Sequence, residues 1–138
     1  MKINKRALAL GVGLLGYFGA VTGYNFYTHH NISYENGNKK VVEKADGILA
    51  YTTLEIDRSD ESIDVTRRDF LNWRSYEDKN GDGNVDWVYR TLGNPLIRGS
   101  HSRSFYRDKD LTQFPVVFEE ADKDFRKQME RFKQYINR

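Results

Sequence analysis

Apolar and polar residues alternate most cleanly over residues 47–57. Ile48, Ala50, Thr52, Leu54 and Ile56 fall on one side; Leu49, Tyr51, Thr53, Glu55 and Asp57 fall on the other. A period of two predicts a half-buried strand. Residues 58–62 are polar and read as a turn. Ile63 and Val65 begin a second strand, which Arg67-Arg68-Asp69 interrupts. Residues 70–77 and 85–92 are rich in aromatics and predict the two strands of a hairpin. Gly93-Asn94-Pro95 is a turn and residues 97–107 are a weaker strand. The period then changes. Phe114, Val117, Phe118, Ala121, Phe125, Met129, Phe132 and Ile136 recur at helical spacing and form one apolar stripe. Thr112 can cap this helix, and Pro115 is tolerated in its first turn. Its acidic residues crowd the first half and its basic residues the second, which suits the helix dipole. Glu119 with Lys123 and Asp122 with Arg126 read as exposed pairs at four-residue spacing.

The N-terminal segment has a different pattern. Lys2, Lys5 and Arg6 precede a run with no charged residue until Glu35. Residues 7–27 as a helix would be about 31 Å long, roughly the thickness of a hydrocarbon core. Tyr24, Phe26 and Tyr27 would sit at its far interface, and the basic residues would hold the N-terminus in the cytoplasm. Gly19 and Gly23 form a GxxxG spacing that suits close helix approach. The expectation is a transmembrane signal anchor over residues 1–30, with the membrane as partner and an exported domain over 31–138. The alternative is a cleaved signal peptide ending near residue 23, although Val21-Thr22-Gly23 is a poor cleavage site. Residues 28–38 read as a linker or first turn, in which Asn31-Ile32-Ser33 matches a glycosylation sequon. The expected fold is therefore α+β: an N-terminal transmembrane helix, then a small, mostly antiparallel β-sheet of four to six strands packed by a C-terminal amphipathic α-helix.

Composition narrows the function classes. A chain of 138 residues suits one domain. It has no cysteine, which excludes a disulfide scaffold, a thiolate nucleophile and a cysteine-ligated zinc site. Its 22 basic and 20 acidic residues give a net charge of +2, and without the first thirty residues the balance is −1. That argues against nucleic acid as a partner and leaves a protein or envelope component.

One motif carries chemistry. In Asp78-Lys79-Asn80-Gly81-Asp82-Gly83-Asn84-Val85-Asp86, oxygen-bearing side chains recur at alternate positions. Calcium takes six to eight hard oxygens. Asp78, Asn80 and Asp82 can converge if the chain curls at Gly83, with the Asn84 carbonyl and Asp86 completing the series. These nine residues resemble the EF-hand calcium loop. The twelfth position is Tyr89 instead of glutamate, and the flanks read as strands. The likeness is therefore to the DxNxDGxxD loops of dockerin-type and thrombospondin-type repeats. It implies weak, structural calcium binding at Asp78, Asn80, Asp82, Asn84 and Asp86, with Glu77 or Asp69 as candidates to finish the shell. The competing reading is a plain hairpin turn, since Asn-Gly and Asp-Gly both favour tight turns. No nucleophile elbow or phosphate-binding loop occurs. Asp57, Asp60, Glu61, Asp64 and Asp69 could serve a metal-assisted hydrolase of phosphates or glycans, but their spacing pairs none of them. His101, Arg103, Phe105 and Arg107 would share a basic, solvated strand face. His29 and His30 are adjacent and do not suit one metal. The chain is thus expected to be a membrane-anchored, extracytoplasmic, calcium-stabilised binding or structural module without enzymatic activity.

Overall fold

The computed structural model describes residues 5–29, 32–47, 50–69, 72–92 and 101–136. Helix α1 (Lys5–His29) is followed by seven strands: β1 (Ile32–Asn36), β2 (Lys39–Gly47), β3 (Ala50–Asp57), β4 (Ser62–Arg68), β5 (Trp73–Asp78), β6 (Trp87–Leu92) and β7 (His101–Tyr106). A one-turn helix α2 (Arg107–Asp110) and the long helix α3 (Pro115–Ile136) close the chain. The strands form one sheet in sequence order, every neighbouring pair antiparallel.

Register explains the core. Val42, Leu54, Val65, Tyr76, Val88 and Phe105 are successive cross-strand partners from β2 to β7. All six are buried and lie on one face. Phe118, Ala121, Phe125 and Phe132 of α3 are buried with them in a single cluster. A period-two face thus meets a period-3.6 stripe, each covering the other's apolar surface.

Several polar residues beside this row pair with α3. Lys40 of β2 donates to the carbonyl of Tyr135, one of the groups that the helix C-terminus leaves without a helical partner, and Lys44 to that of Arg131 one turn earlier (3.4 Å). The next row holds Thr52, Arg67, Arg74, Arg90 and Arg103. Like charges on facing strands repel. Here Arg67 donates twice to Asp124 (3.0 and 2.9 Å), Arg90 pairs with Glu120 (3.1 Å), and Arg103 lies over the rings of Phe105 and Phe114. Burial raises the Asp124 carboxyl, but the hydrogen bonds and charge of Arg67 with the Tyr76 hydroxyl outweigh it and the net shift is downward.

Several sequence expectations are corrected. The transmembrane helix is not supported: among the described residues no helix is long and apolar enough to cross a membrane. Five glycines (11, 13, 16, 19 and 23) add no side chain to α1, and Tyr17, Thr22 and Tyr24 thin its apolar surface below the roughly 20 predominantly apolar residues a span needs. Instead α1 lies against β2 and β3, and residues 9–20 are exposed. The segment expected to be a linker contains β1, which turns through Gly37 (φ 62°) into β2. Arg67 and Arg68 continue β4 and do not interrupt it. Asp122 is buried instead of forming an exposed pair. Thr112 sits in a turn, and α3 begins at Pro115, whose missing N–H no helix bond needs. The expected turn at 93–95, His30 and the Asn31 residue of the sequon lie outside the described residues.

Asp124→Ala would leave the Arg67 guanidinium and the Tyr76 hydroxyl without their carboxylate and should destabilise the fold by about 2 kcal/mol. Because the folded state depresses the Asp124 pKa, this contribution is present above about pH 4 and is lost on acidification. Urea unfolding at pH 7 and pH 3 checks both, and a variant that matches the parent at pH 7 would refute the role.

Candidate functional site

The loop 78–86 joins β5 to β6. Asp78 ends β5 on the core face and is fully buried. Its Oδ1 accepts the backbone N–H groups of Asn80 (3.4 Å) and Asp82 (3.2 Å), and its Oδ2 accepts that of Gly83 (2.8 Å). The next two oxygen-bearing residues repeat this pattern: Asn80 Oδ1 accepts from the Asp82 N–H (3.1 Å), and Asp82 Oδ1 from the Asn84 N–H (2.8 Å). This last bond, from the Asn84 backbone, is the main reason the Asp82 carboxyl lies below its ordinary pKa. The curl needs left-handed backbone at Gly81 (φ 68°) and Gly83 (φ 86°), which glycine adopts without strain. Gly81 also passes close to the Glu61 carbonyl of the β3–β4 turn, 3.1 Å from where a Cβ would stand.

The far end of the loop is fastened to the core. Val85 is fully buried. Its N–H donates to Asp122 Oδ1 of α3 (2.9 Å), and its carbonyl accepts from Arg107 Nε (2.6 Å). Arg107 closes the triangle with a 2.5 Å bond to Asp122. Asp86 continues the sheet: its N–H donates to the Glu77 carbonyl and its carbonyl accepts the Arg107 N–H, both at 2.8 Å. Asp86 Oδ2 accepts from the Lys79 N–H (2.9 Å).

The donor chemistry of Asp78, Asn80, Asp82, Asn84 and Asp86 fits a hard cation: carboxylate, amide and carbonyl oxygens on a tightly curled backbone. Among the described residues, however, no three Asp, Glu, His or Cys side chains are grouped so as to hold a metal ion. Asp86 is turned to Lys79, and Asn80 Nδ2 donates to Asp82 Oδ2 (3.2 Å). Neither residue suggested for completing the shell reaches the loop. Glu77 alternates to the opposite sheet face, beside Asp64 and Trp87. Asp69, just past β4, accepts the Asn72 N–H and lies nine residues before Asp78 along the chain.

The other singled-out groups are dispersed. Asp57 and Asp60 accept the N–H groups of Ser59 and Ser62 and shape the β3–β4 turn. Arg107 is in α2, and Phe105 is buried, so the expected basic strand face does not form. Asp64 is different. It is flanked on its own face by Glu55 of β3 and Glu77 of β5. Burial first, then these two carboxylates, push it up to about 6. The Asp122–Arg107–Val85 triangle and the Glu55–Asp64–Glu77 row were not expected from the sequence. The strand register brings the row together, and the seating of α2 and α3 against the loop brings the triangle together.

No protein-family model matches the chain, and no curated protein or solved structure matches it either. The architecture places it in the α+β class: a seven-stranded antiparallel meander with one face covered by a C-terminal helix.

The raised Asp64 pKa means that the folded state holds this proton more tightly than the unfolded chain. Its ionisation therefore opposes folding above about pH 6 and is relieved as the pH falls toward 4. Asp64→Asn should stabilise the protein at pH 7 by about 1 kcal/mol, after allowing for solvent screening, with little gain at pH 4. Thermal melts across that range check it; equal effects at both pH values would refute the crowding.

Proposed function

We propose that this chain is a non-enzymatic, extracytoplasmic binding and structural module in which the 78–86 loop takes calcium. The observation that carries this reading is the alternate oxygen series Asp78, Asn80 and Asp82 on a backbone already curled by Gly81 and Gly83. Calcium would require Asp86 to release Lys79 and turn inward, joining Asp78, Asn80, Asp82 and the Asn84 carbonyl. That reorganisation and the absent twelfth-position glutamate favour weak affinity, on the order of 0.1 to 1 mM, a range suited to extracellular calcium. Through Val85 and Asp122, a filled loop would also hold α3 and α2 to the sheet. The module would contact a membrane through α1, where Leu10, Val12, Leu15 and Phe18 are 50 to 75% exposed.

An unoccupied hairpin loop is the second reading, favoured by the hydrogen bonds that satisfy Asp78 without a cation. Metal-assisted hydrolysis has less support, since the acidic residues suggested for it are spread over turns and both ends of β4.

At about 1 mM calcium and a Kd of about 0.1 mM, binding should stabilise the fold by about 1.4 kcal/mol, a rise of several degrees in Tm. Magnesium should give less, and Asp82→Ala, at an exposed position, should abolish the rise. No shift in calcium, or the same shift in the variant, would refute the loop reading. For the membrane contact, the chain should float with lipid vesicles, and Leu10→Glu with Leu15→Glu should release it; flotation unchanged by both substitutions would refute α1 as the contact.

A further inference from the structure

The sheet face opposite α3 carries a second chemistry. Its central row consists of short hydroxyl side chains, Thr53, Thr66 and Ser75, with Tyr89 and Ser104 beyond them. On one side of that row stand Tyr51, Arg68 and Trp73. On the other stand Glu55, Asp64, Glu77, Trp87 and Tyr106, each the cross-strand neighbour of the next. Over β3 to β5 short residues lie between two taller rows, and Tyr89 fills the central row on β6.

The rings of Trp73, Tyr89 and Trp87 form one connected surface, and Tyr106, the cross-strand neighbour of Trp87, has Lys109 Nζ 5.2 Å from its ring. Trp87 and Tyr89 are near-parallel (28°) with centroids 6.1 Å apart, and Trp73 meets Tyr89 edge-on at 5.5 Å. Trp73 is oriented by its Nε1 donating to Ser75 Oγ (3.1 Å) and by the Arg68 guanidinium 4.1 Å from its ring. Yet Trp73 remains 39% exposed and Tyr106 41%. Aromatic surface held in place and left in water marks a binding face.

The neighbouring charges select the occupant. Glu55, Asp64 and Glu77 crowd one another enough to raise Asp64, even though Lys39 pairs with Glu55 (2.6 Å) at the end of the row. A phosphate or sulfate beside them would add repulsion, which disfavours nucleic acid and anionic glycans. Hydroxyl or ammonium donors would relieve it, because carboxylates are acceptors that form strong bonds with such groups. A sugar ring offers both needed features: an apolar C–H face that packs on aromatic rings and an edge of hydroxyl donors.

We propose that the open face of the sheet, with Trp73, Trp87, Tyr89 and Tyr106 as its platform and Glu55, Asp64 and Glu77 along its edge, binds an uncharged glycan chain. This rests on the reading of the chain as a binding module and supplies its ligand class. It does not depend on the calcium loop.

The two tryptophans of the chain, Trp73 and Trp87, both lie on this face, so their emission reports on it directly. The full chain, held in a detergent without a sugar headgroup, would be titrated with chitohexaose, cellohexaose and a heparin hexasaccharide, in calcium and in chelator. The expected result is a saturable emission change with chitohexaose or cellohexaose, little with heparin, and an affinity at least about tenfold lower in Tyr106→Ala. Asp64→Asn should weaken binding while keeping the fold, as judged by circular dichroism. No change with either neutral hexasaccharide, tighter binding of heparin, or undiminished affinity in Tyr106→Ala would overturn the proposal. Glycan binding that persists in chelator would leave it standing even if calcium fails to stabilise the loop.

Discussion

The structure depends on one row of side chains. Val42, Leu54, Val65, Tyr76, Val88 and Phe105 stand side by side across six antiparallel strands and receive the aromatic stripe of α3. Because side chains alternate along a strand, a slip of one residue in any pairing would send its apolar member to the open face. Burial of the row therefore fixes register across β2 to β7. Register in turn decides which polar residues meet. It lines up the arginines against Asp124 and Glu120, gathers Glu55, Asp64 and Glu77 on the other face, and leaves Asp78 buried at the mouth of the β5–β6 loop.

The two faces divide the labour. The covered face uses charge to hold the helix: Lys40 and Lys44 meet carbonyls of its last two turns and Arg67 meets its middle at Asp124, while Arg107 of α2 holds its first half at Asp122. These contacts place α3 along the row more specifically than apolar packing alone, which has no direction. The open face leaves Trp73 and Tyr106 exposed, with Trp87 and Tyr89 half-buried between them. The loop lies between these two regions. It is anchored to α3 through Val85 and Asp122 and extends the strand that carries Tyr76 and Glu77, so a cation there would act on the stability of both.

Much of the sheet was legible in the sequence. The alternation of Thr52, Leu54 and Ile56 identified β3, and the helical spacing of Phe118, Phe125 and Phe132 identified α3. The hairpin of β1 and β2 was hidden because lysine occupies the core-facing positions 40 and 44, where helix carbonyls satisfy it. Asp122 looked exposed because its partners, Arg107 and the Val85 N–H, are distant in sequence. The open face could have been noticed: Trp73, Trp87 and Tyr89 are all odd-numbered on strands whose core residues, Tyr76 and Val88, are even. The oxygen series of the loop is visible in its spacing alone. Its hydrogen bonds, and the direction in which Asp86 points, depend on how the strand ends are clamped. The N-terminal apolar run was read too generously as a span, since its glycines contribute length without apolar side-chain surface.

The central functional claim is that a backbone curled around Asp78 is built to receive calcium. The most direct measurement is a calcium titration followed through the backbone amide resonances of Asp82, Gly83 and Asn84, whose N–H groups bind Asp78 and Asp82. The account predicts large, saturable shifts at these amides and at Lys79, which loses Asp86 as its acceptor, with half-saturation on the order of 0.1 to 1 mM. Amides that stay in place at about 10 mM calcium, well above that range, would contradict it and leave the loop as a hydrogen-bonded turn.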